Sequence, residues 1–400
     1  MTRSIDLTRR GALAAGISLA FFGGGAYAAA GDKKLVVFIQ RGGADGLSVS
    51  PPIGDRNYRP LRGEIAIPDD QALKLDGDFA LHPKLTSIYA LAQKGQARIA
   101  PAVAIPNNQR SHFEAQDVLE SGVTQVYGST SGWLNRTLTA MSGRKFEGMS
   151  IGNQAPLILR GPVQAASWSP GPVSRGERLP MILTDLYHND AVLSRAFASG
   201  LETEAMAMTA GATMQSGGAR QVAAQGPAAG NAQARQLGTS VAGFMMQPGG
   251  PQLVAVSIDG WDTHANQGGV DGTLAGRLAY LDSVVDGLQK GLGAEWNNTI
   301  ALVVTEFGRT SRINGTRGTD HGNASTAIVM GGTLKPGGII GDWPTLADGK
   351  LNQGRDLAST LDVRGLFKGA LSQHLGLDKR QLDTVVFPDS AAIAPATGIA

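Results

Sequence analysis

LVVFIQRGGADGL, residues 35–47, is the stretch that decides the fold class. Leu35 to Ile39 is a continuous apolar, β-branched run, the pattern of a strand covered on both faces. It breaks into Gly42-Gly43-Ala44-Asp45-Gly46, a glycine-rich turn that carries a carboxylate. Outward from there the chain alternates, with a helix predicted over 85–94, a strand over 97–105 and a helix over 112–121. Further on, a strand is predicted over 253–258, a helix over 273–292, strands over 300–305 and 326–330, and a last helix over 363–375. Leu274, Leu278, Leu281, Val285, Leu288 and Leu292 recur at alternating steps of four and three, so one stripe of the 273–292 helix is apolar. Such alternation predicts an α/β protein, a three-layer α/β/α sandwich with a mostly parallel sheet.

Three segments stand apart from the alternation. In residues 1–30, Arg3, Arg9 and Arg10 precede an uncharged stretch whose apolar core, Leu13 to Phe22, is about half the ~20 residues of a membrane span. Ala26-Tyr27-Ala28 supplies a processing site, and Thr8-Arg9-Arg10-Gly11-Ala12-Leu13 resembles a twin-arginine export motif. The expectation is a periplasmic or secreted protein with no membrane span after cleavage. Residues 144–184 are rich in Pro and Gly and read as an irregular or β-hairpin insertion. Residues 202–237 are Ala, Gly, Gln and Met in low-complexity order, a loosely packed or mobile segment apart from a possible helix over 231–246. Residues 31–400 otherwise read as a single domain.

Composition narrows the function. The chain has 35 Lys+Arg against 33 Asp+Glu, and removing residues 1–30 takes away three arginines and one aspartate, leaving no formal charge. A phosphate-backbone binder needs a concentrated basic face, so nucleic acid is excluded as a partner. The absence of cysteine removes disulfides, thiolate metal sites and cysteine nucleophiles, so chemistry must come from His, Asp, Glu, Ser, Thr, Lys or Arg.

In open α/β sheets ligands bind beyond the carboxyl ends of the strands, so the polar residues after each strand are the candidates. Asp45 follows the first strand; Arg110, Ser111 and His112 follow the second; Asp259, Asp262 and His264 follow the 253–258 strand; Glu306, Arg309, Asp320 and His321 follow the 300–305 strand. Oxygen and nitrogen ligands without sulfur suit a divalent ion such as Zn, Mn, Mg or Ca. Each residue also has a structural role to weigh. Asp45 between glycines suits an Asx-turn. Ser111-His112-Phe113-Glu114 matches a capping box, and a serine starting a helix is also placed to attack an anion there. Arg309 can clamp a phosphate or sulfate, or pair with Glu306. His374, in the last helix, is expected at a groove or in solvent.

Residues 35–47, 110–122 (RSHFEAQDVLESG), 260–267 (GWDTHANQ), 305–310 (TEFGRT) and 318–323 (GTDHGN), in this order, resemble the exported bacterial proteins of the domain of unknown function 1501 family. That family is placed by resemblance in the alkaline phosphatase and sulfatase superfamily, which implies an α/β/α sandwich with metal sites at the strand ends. The resemblance implies that Asp45 is the first-strand metal ligand and Ser111 the nucleophile. It also implies that Asp259 or Asp262 with His264 forms the ligand pair of a later loop, although the superfamily's Asp-x3-His spacing is not reproduced. Asp320-His321 is a second such pair in one alignment. In the favoured one, Glu306 replaces the aspartate, Arg309 falls near an expected histidine and His321 is the late histidine, which leaves a mononuclear or degenerate site. The implied activity is metal-dependent hydrolysis of a small-molecule or glycan phosphate or sulfate ester. The alternative is an extracytoplasmic binding or envelope-assembly protein that has lost catalysis.

Overall fold

Strand β1 (Lys34–Arg41) is buried along almost its whole length, as its unbroken apolar run requires. The structure is a computed structural model that describes residues 33–141, 147–152, 156–169, 190–209 and 227–400. The expected export segment and parts of 144–184 and 202–237 lie outside the described residues. After β1 come β2 (Ala97–Ala104), β3 (Gly148–Ile151), β4 (Ala166–Trp168), β5 (Leu253–Asp259), β6 (Thr299–Thr305), β7 (Ser325–Gly331) and β8 (Leu361–Asp362). They form one eight-stranded sheet in the order β8-β2-β7-β6-β1-β5-β3-β4. In register, Phe38 lies between Val256 of β5 and Val303 of β6.

Alternate residues of β1 feed two different cores, which is what makes the fold three-layered. Val36 and Phe38 pack with α1 (Thr86–Gln93), α5 (Pro227–Met245) and α6 (Thr273–Leu292). Leu35, Val37 and Ile39 pack with α2 (His112–Ser121), α3 (Trp133–Ala140) and α7 (Val363–Gln373). The leucines of the α6 stripe are buried, each stabilising the fold by about 1.5–3 kcal/mol relative to exposure. A further helix, α4 (Ala191–Thr209), precedes α5.

The small residues of α5 have a packing reason. A Cβ on Gly238 would sit 1.9 Å from the carbonyl oxygen of Val284, and one on Gly287 would sit 2.0 Å from that of Arg235. The two helices touch backbone to backbone, and only glycine allows it. Residues 148–151 and 166–168, within the segment read as an insertion, extend the main sheet: Met149 pairs in parallel with both Val254 and Ala166.

Within this eight-stranded sheet all neighbouring strands run parallel except at β7, which is antiparallel to both β2 and β6. The reversal has a direct effect on function. Because β7 starts at the edge where β6 ends, the whole connection from Glu306 to Ala324 stays at the carboxyl edge of the parallel strands. His374 departs from expectation: it is buried just beyond α7, and Nε2 lies 2.9 Å from the Lys34 carbonyl oxygen. Burial drives its pKa down to about 4. Among the described residues, no helix is long and apolar enough to cross a membrane.

Candidate metal centre

Three connections meet at the carboxyl edge: the start of α2, the turn after β5 and the loop between β6 and β7. The first contributes His112, the second Asp262 and His264, the third His321. Ligand atoms of His112, Asp262 and His321 all lie within 4.8 Å of one another. His264 joins them, with Nε2 2.9 Å from His321 Nε2 and 3.0 Å from Asp262 Oδ1. His321 Nε2 is 3.4 Å from the same oxygen, and His112 Nε2 is 3.4 Å from Asp262 Oδ2.

The ring orientations are fixed from behind. Nδ1 of His112 bonds Glu306 Oε1 at 2.9 Å, Nδ1 of His264 faces Asp320 Oδ1 at 3.3 Å, and Nδ1 of His321 bonds the Arg110 carbonyl oxygen at 2.7 Å. All three partners are acceptors, so each Nδ1 carries the proton and each Nε2 presents a lone pair. Neutral rings so tethered turn their Nε2 lone pairs toward Asp262 and one another, an arrangement eased by a cation or a proton between them. His112 Nε2 is buried without a hydrogen-bond partner, as an unused ligand atom would be. A tetrahedron with metal–nitrogen distances of ~2.0–2.1 Å has edges of about 3.3 Å; the separations of Asp262 from the three Nε2 atoms and of His264 from His321, 2.9–3.4 Å, are of that size, and His112, Asp262 and His321 form the mutually close set. The three backing acceptors are of the kind that orient imidazoles in metal sites.

Glu306 and Arg309 act behind this cluster. Glu306 is fully buried; Oε1 accepts from the Gly42 amide at 2.8 Å, from His112 and from Gln116 Nε2 at 3.1 Å. Burial pushes this carboxyl up, but those hydrogen bonds more than offset it and hold it below the usual glutamate range. Arg309, also buried, donates to the carbonyl oxygens of Gly42, Gly43, Trp261 and Thr319 and to Asp262 Oδ1 at 2.6 Å. The guanidinium thus ties three connections together and aims Asp262. Burial raises the Asp262 carboxyl, while Arg309 and the neighbouring histidines more than offset this and leave it lowered. A Cβ on Gly42, whose φ is +120°, would lie 2.6 Å from the Asp262 amide nitrogen, so the first turn must be glycine for Asp262 to sit there.

Asp45 is elsewhere. Its Oδ2 is held by Arg62, by Ser48 Oγ at 2.8 Å and by Gln267 Nε2 at 2.6 Å, all buried. An internal guanidinium supplies the positive charge there. Asp259, at the end of β5, is exposed and lines a cavity beside the cluster. Asp320 backs His264 and also accepts from Asn314. Ser111 is exposed and starts α2 in an extended conformation, yet its side chain makes no capping bond. The capping-box pattern is therefore not used. Of the sequence candidates, Asp262, His264 and His321 converge; Glu306, Arg309 and Asp320 support them; Asp45 and Asp259 do not join them. His112 stands among the polar residues after the second strand, but the capping-box pattern drew attention to Ser111 and left His112 out of the expected ligand set; its signal was its place at a strand-to-helix turn.

Fold and site together define an α/β/α protein with a candidate metal centre at the carboxyl edge of its sheet. The chain belongs to the family described as protein of unknown function (DUF1501), whose profile matches residues 32–386. No curated protein matches the sequence. Among solved structures the chain is similar to the C-terminal periplasmic domain of EcEptC from Escherichia coli in complex with Zn, at 11% identity over 75% of this chain and 73% of that chain, with a TM-score of 0.35. It is also similar to Ps i-CgsB in complex with k-i-k-neocarrahexaose, at 8% identity over 90% and 76%, TM-score 0.43. A third is the lipoteichoic acid synthase LtaP from Listeria monocytogenes, at 8% identity over 90% and 77%, TM-score 0.39.

Proposed function

We propose that the chain is an exported, metal-dependent hydrolase of phosphate or sulfate esters in the alkaline phosphatase and sulfatase superfamily, reaching the periplasm or the exterior by twin-arginine export. The observation that carries the reading is the convergence of three imidazoles on Asp262, each with its Nδ1 tethered to an acceptor. His112, Asp262, His264 and His321 would hold the ion, and a donor set richer in nitrogen than oxygen favours Zn over Mg or Ca. A divalent ion there supplies Lewis acidity to an ester oxygen. Ser111 is the proposed nucleophile, because its hydroxyl is exposed, free of capping duty and next in sequence to His112. Metal analysis of protein purified from its own host, with a screen of aryl phosphates and aryl sulfates, tests this. Metal-free protein inactive on every ester sinks it.

One observation favours the second reading, a non-catalytic extracytoplasmic binding or assembly protein. With His264 joining His112, Asp262 and His321, four protein donors would close the site, and closed sites are structural whereas catalytic ones keep a position open. Protein that carries one tightly held ion yet hydrolyses no ester supports that reading.

A further inference from the structure

Beside the cluster opens a cavity of about 820 Å³, well within the range of ligand pockets, and His112, Asp262 and Gly42 form part of its wall. One face of α2 forms another part: Phe113, Gln116, Asp117 and Glu120 recur at helical spacing and all line it. Two features of this wall are unexplained by the metal. First, Phe113 and Tyr127 both line it and are 81% and 68% exposed. They are the aromatic members of the exposed large apolar side chains among the described residues. Tyr127 has a φ of +55°, which side chains larger than glycine rarely adopt, and Asp117 Oδ1 holds its amide at 2.7 Å. An aromatic ring in open solvent on a constrained backbone is positioned for something to stack on it. Second, the wall has four carboxylates (Asp117, Glu120, Asp259, Asp262) against two guanidinium groups, Arg41 and Arg160. Arg41 answers Glu120 and Arg309 answers Asp262, so even with a divalent ion the wall carries little surplus positive charge for a highly anionic ligand. Asp259 is exposed, and among the described residues its carboxylate makes no hydrogen bond or ion pair.

Exposed aromatic faces beside the free carboxylate of Asp259 suit a polyhydroxylated ring: the apolar face of a pyranose stacks on the aromatics while its hydroxyls donate to that carboxylate. We infer that this cavity binds a sugar ring, on Phe113 and Tyr127 with Asp259 accepting from its hydroxyls, so that the ester carried to the metal is a sugar ester. The inference rests on the proposed hydrolase reading only for where the ester sits.

The test is saturation-transfer NMR on the metal-loaded full chain with cellotetraose and chitotetraose as neutral probes, alongside metal content. Saturable binding at millimolar concentration is expected, weakened at least fivefold by Phe113→Ala or Tyr127→Ala and restored by Tyr127→Phe, with metal content unchanged. Asp259→Asn weakens it as well. Absence of saturable binding to either probe, or binding indifferent to both alanine variants, overturns the inference. Sugar binding without ester hydrolysis counts against the hydrolase reading alone, and hydrolysis of aryl esters without sugar binding counts against this inference alone.

Discussion

His112 Nδ1 and Glu306 Oε1 lie 2.9 Å apart, joining the first residue of α2 to the first residue after β6. The bond fixes which nitrogen of His112 faces Asp262. Removing the charge in Glu306→Gln weakens the orienting bond while leaving the four proposed ligands intact. Metal affinity should fall by about 10–100-fold, the usual cost of losing an outer-shell partner. Competition with a chelator measures it, and an unchanged affinity would show that Glu306 does not orient a ligand.

Asp45 and Arg62 form a buried pair away from the cluster. In Asp45→Asn the guanidinium is left without its counter-charge, so stability should drop by about 3–5 kcal/mol. The bound ion should remain at the wild-type stoichiometry. Urea unfolding and metal analysis read the two effects separately; loss of metal from a variant of undiminished stability would make Asp45 a ligand after all.

Ser111→Ala should retain the ion and abolish ester turnover, since the hydroxyl makes no capping bond whose loss would unfold α2. Turnover equal to wild type in the variant would remove Ser111 from the chemistry and leave water as the attacking group.

His374 gives a pH dependence with a definite sign. Its pKa falls from 6.5 to about 4 in the folded chain, so the unfolded chain binds the proton more readily. The contribution is complete above pH 6.5 and is lost as pH falls toward 4. It amounts to something on the order of 3 kcal/mol. Urea midpoints should therefore fall across that window in wild type and fall less in His374→Gln. Equal slopes in both proteins would assign the acid sensitivity to other groups.

Much of the fold could be read from residues alone because its period is written in single elements. The run Leu35–Ile39 is buried on both faces, and the stripe on α6 is the core face of that helix. Strand direction is not written that way. Ser325–Gly331 has the same apolar character whichever way it runs, and only its place between β2 and β6 makes it antiparallel. The same limit governed the site. Asp262, His264 and His321 carry chemistry in their identities, but whether a carboxylate meets a metal or a guanidinium depends on a distant partner. Arg62 comes from a short helix over Tyr58–Arg62 that no periodicity marked, and it takes Asp45. His374 shows the converse: a polar residue in an apolar helix reads as facing a groove or solvent, whereas the Lys34 carbonyl gives its ring one buried partner.

The position of β1 has a kinetic consequence. It is the first strand among the described residues and a central one, yet its two neighbours are residues 253–259 and 299–305. At roughly 5–20 residues per second, both edges of an extremely apolar strand remain unpaired for tens of seconds after it leaves the ribosome. Pairings this distant in sequence also close slowly. The nascent chain is thus a target for holding chaperones for most of its synthesis, and truncation before Thr299 would leave an open edge suited to aggregation.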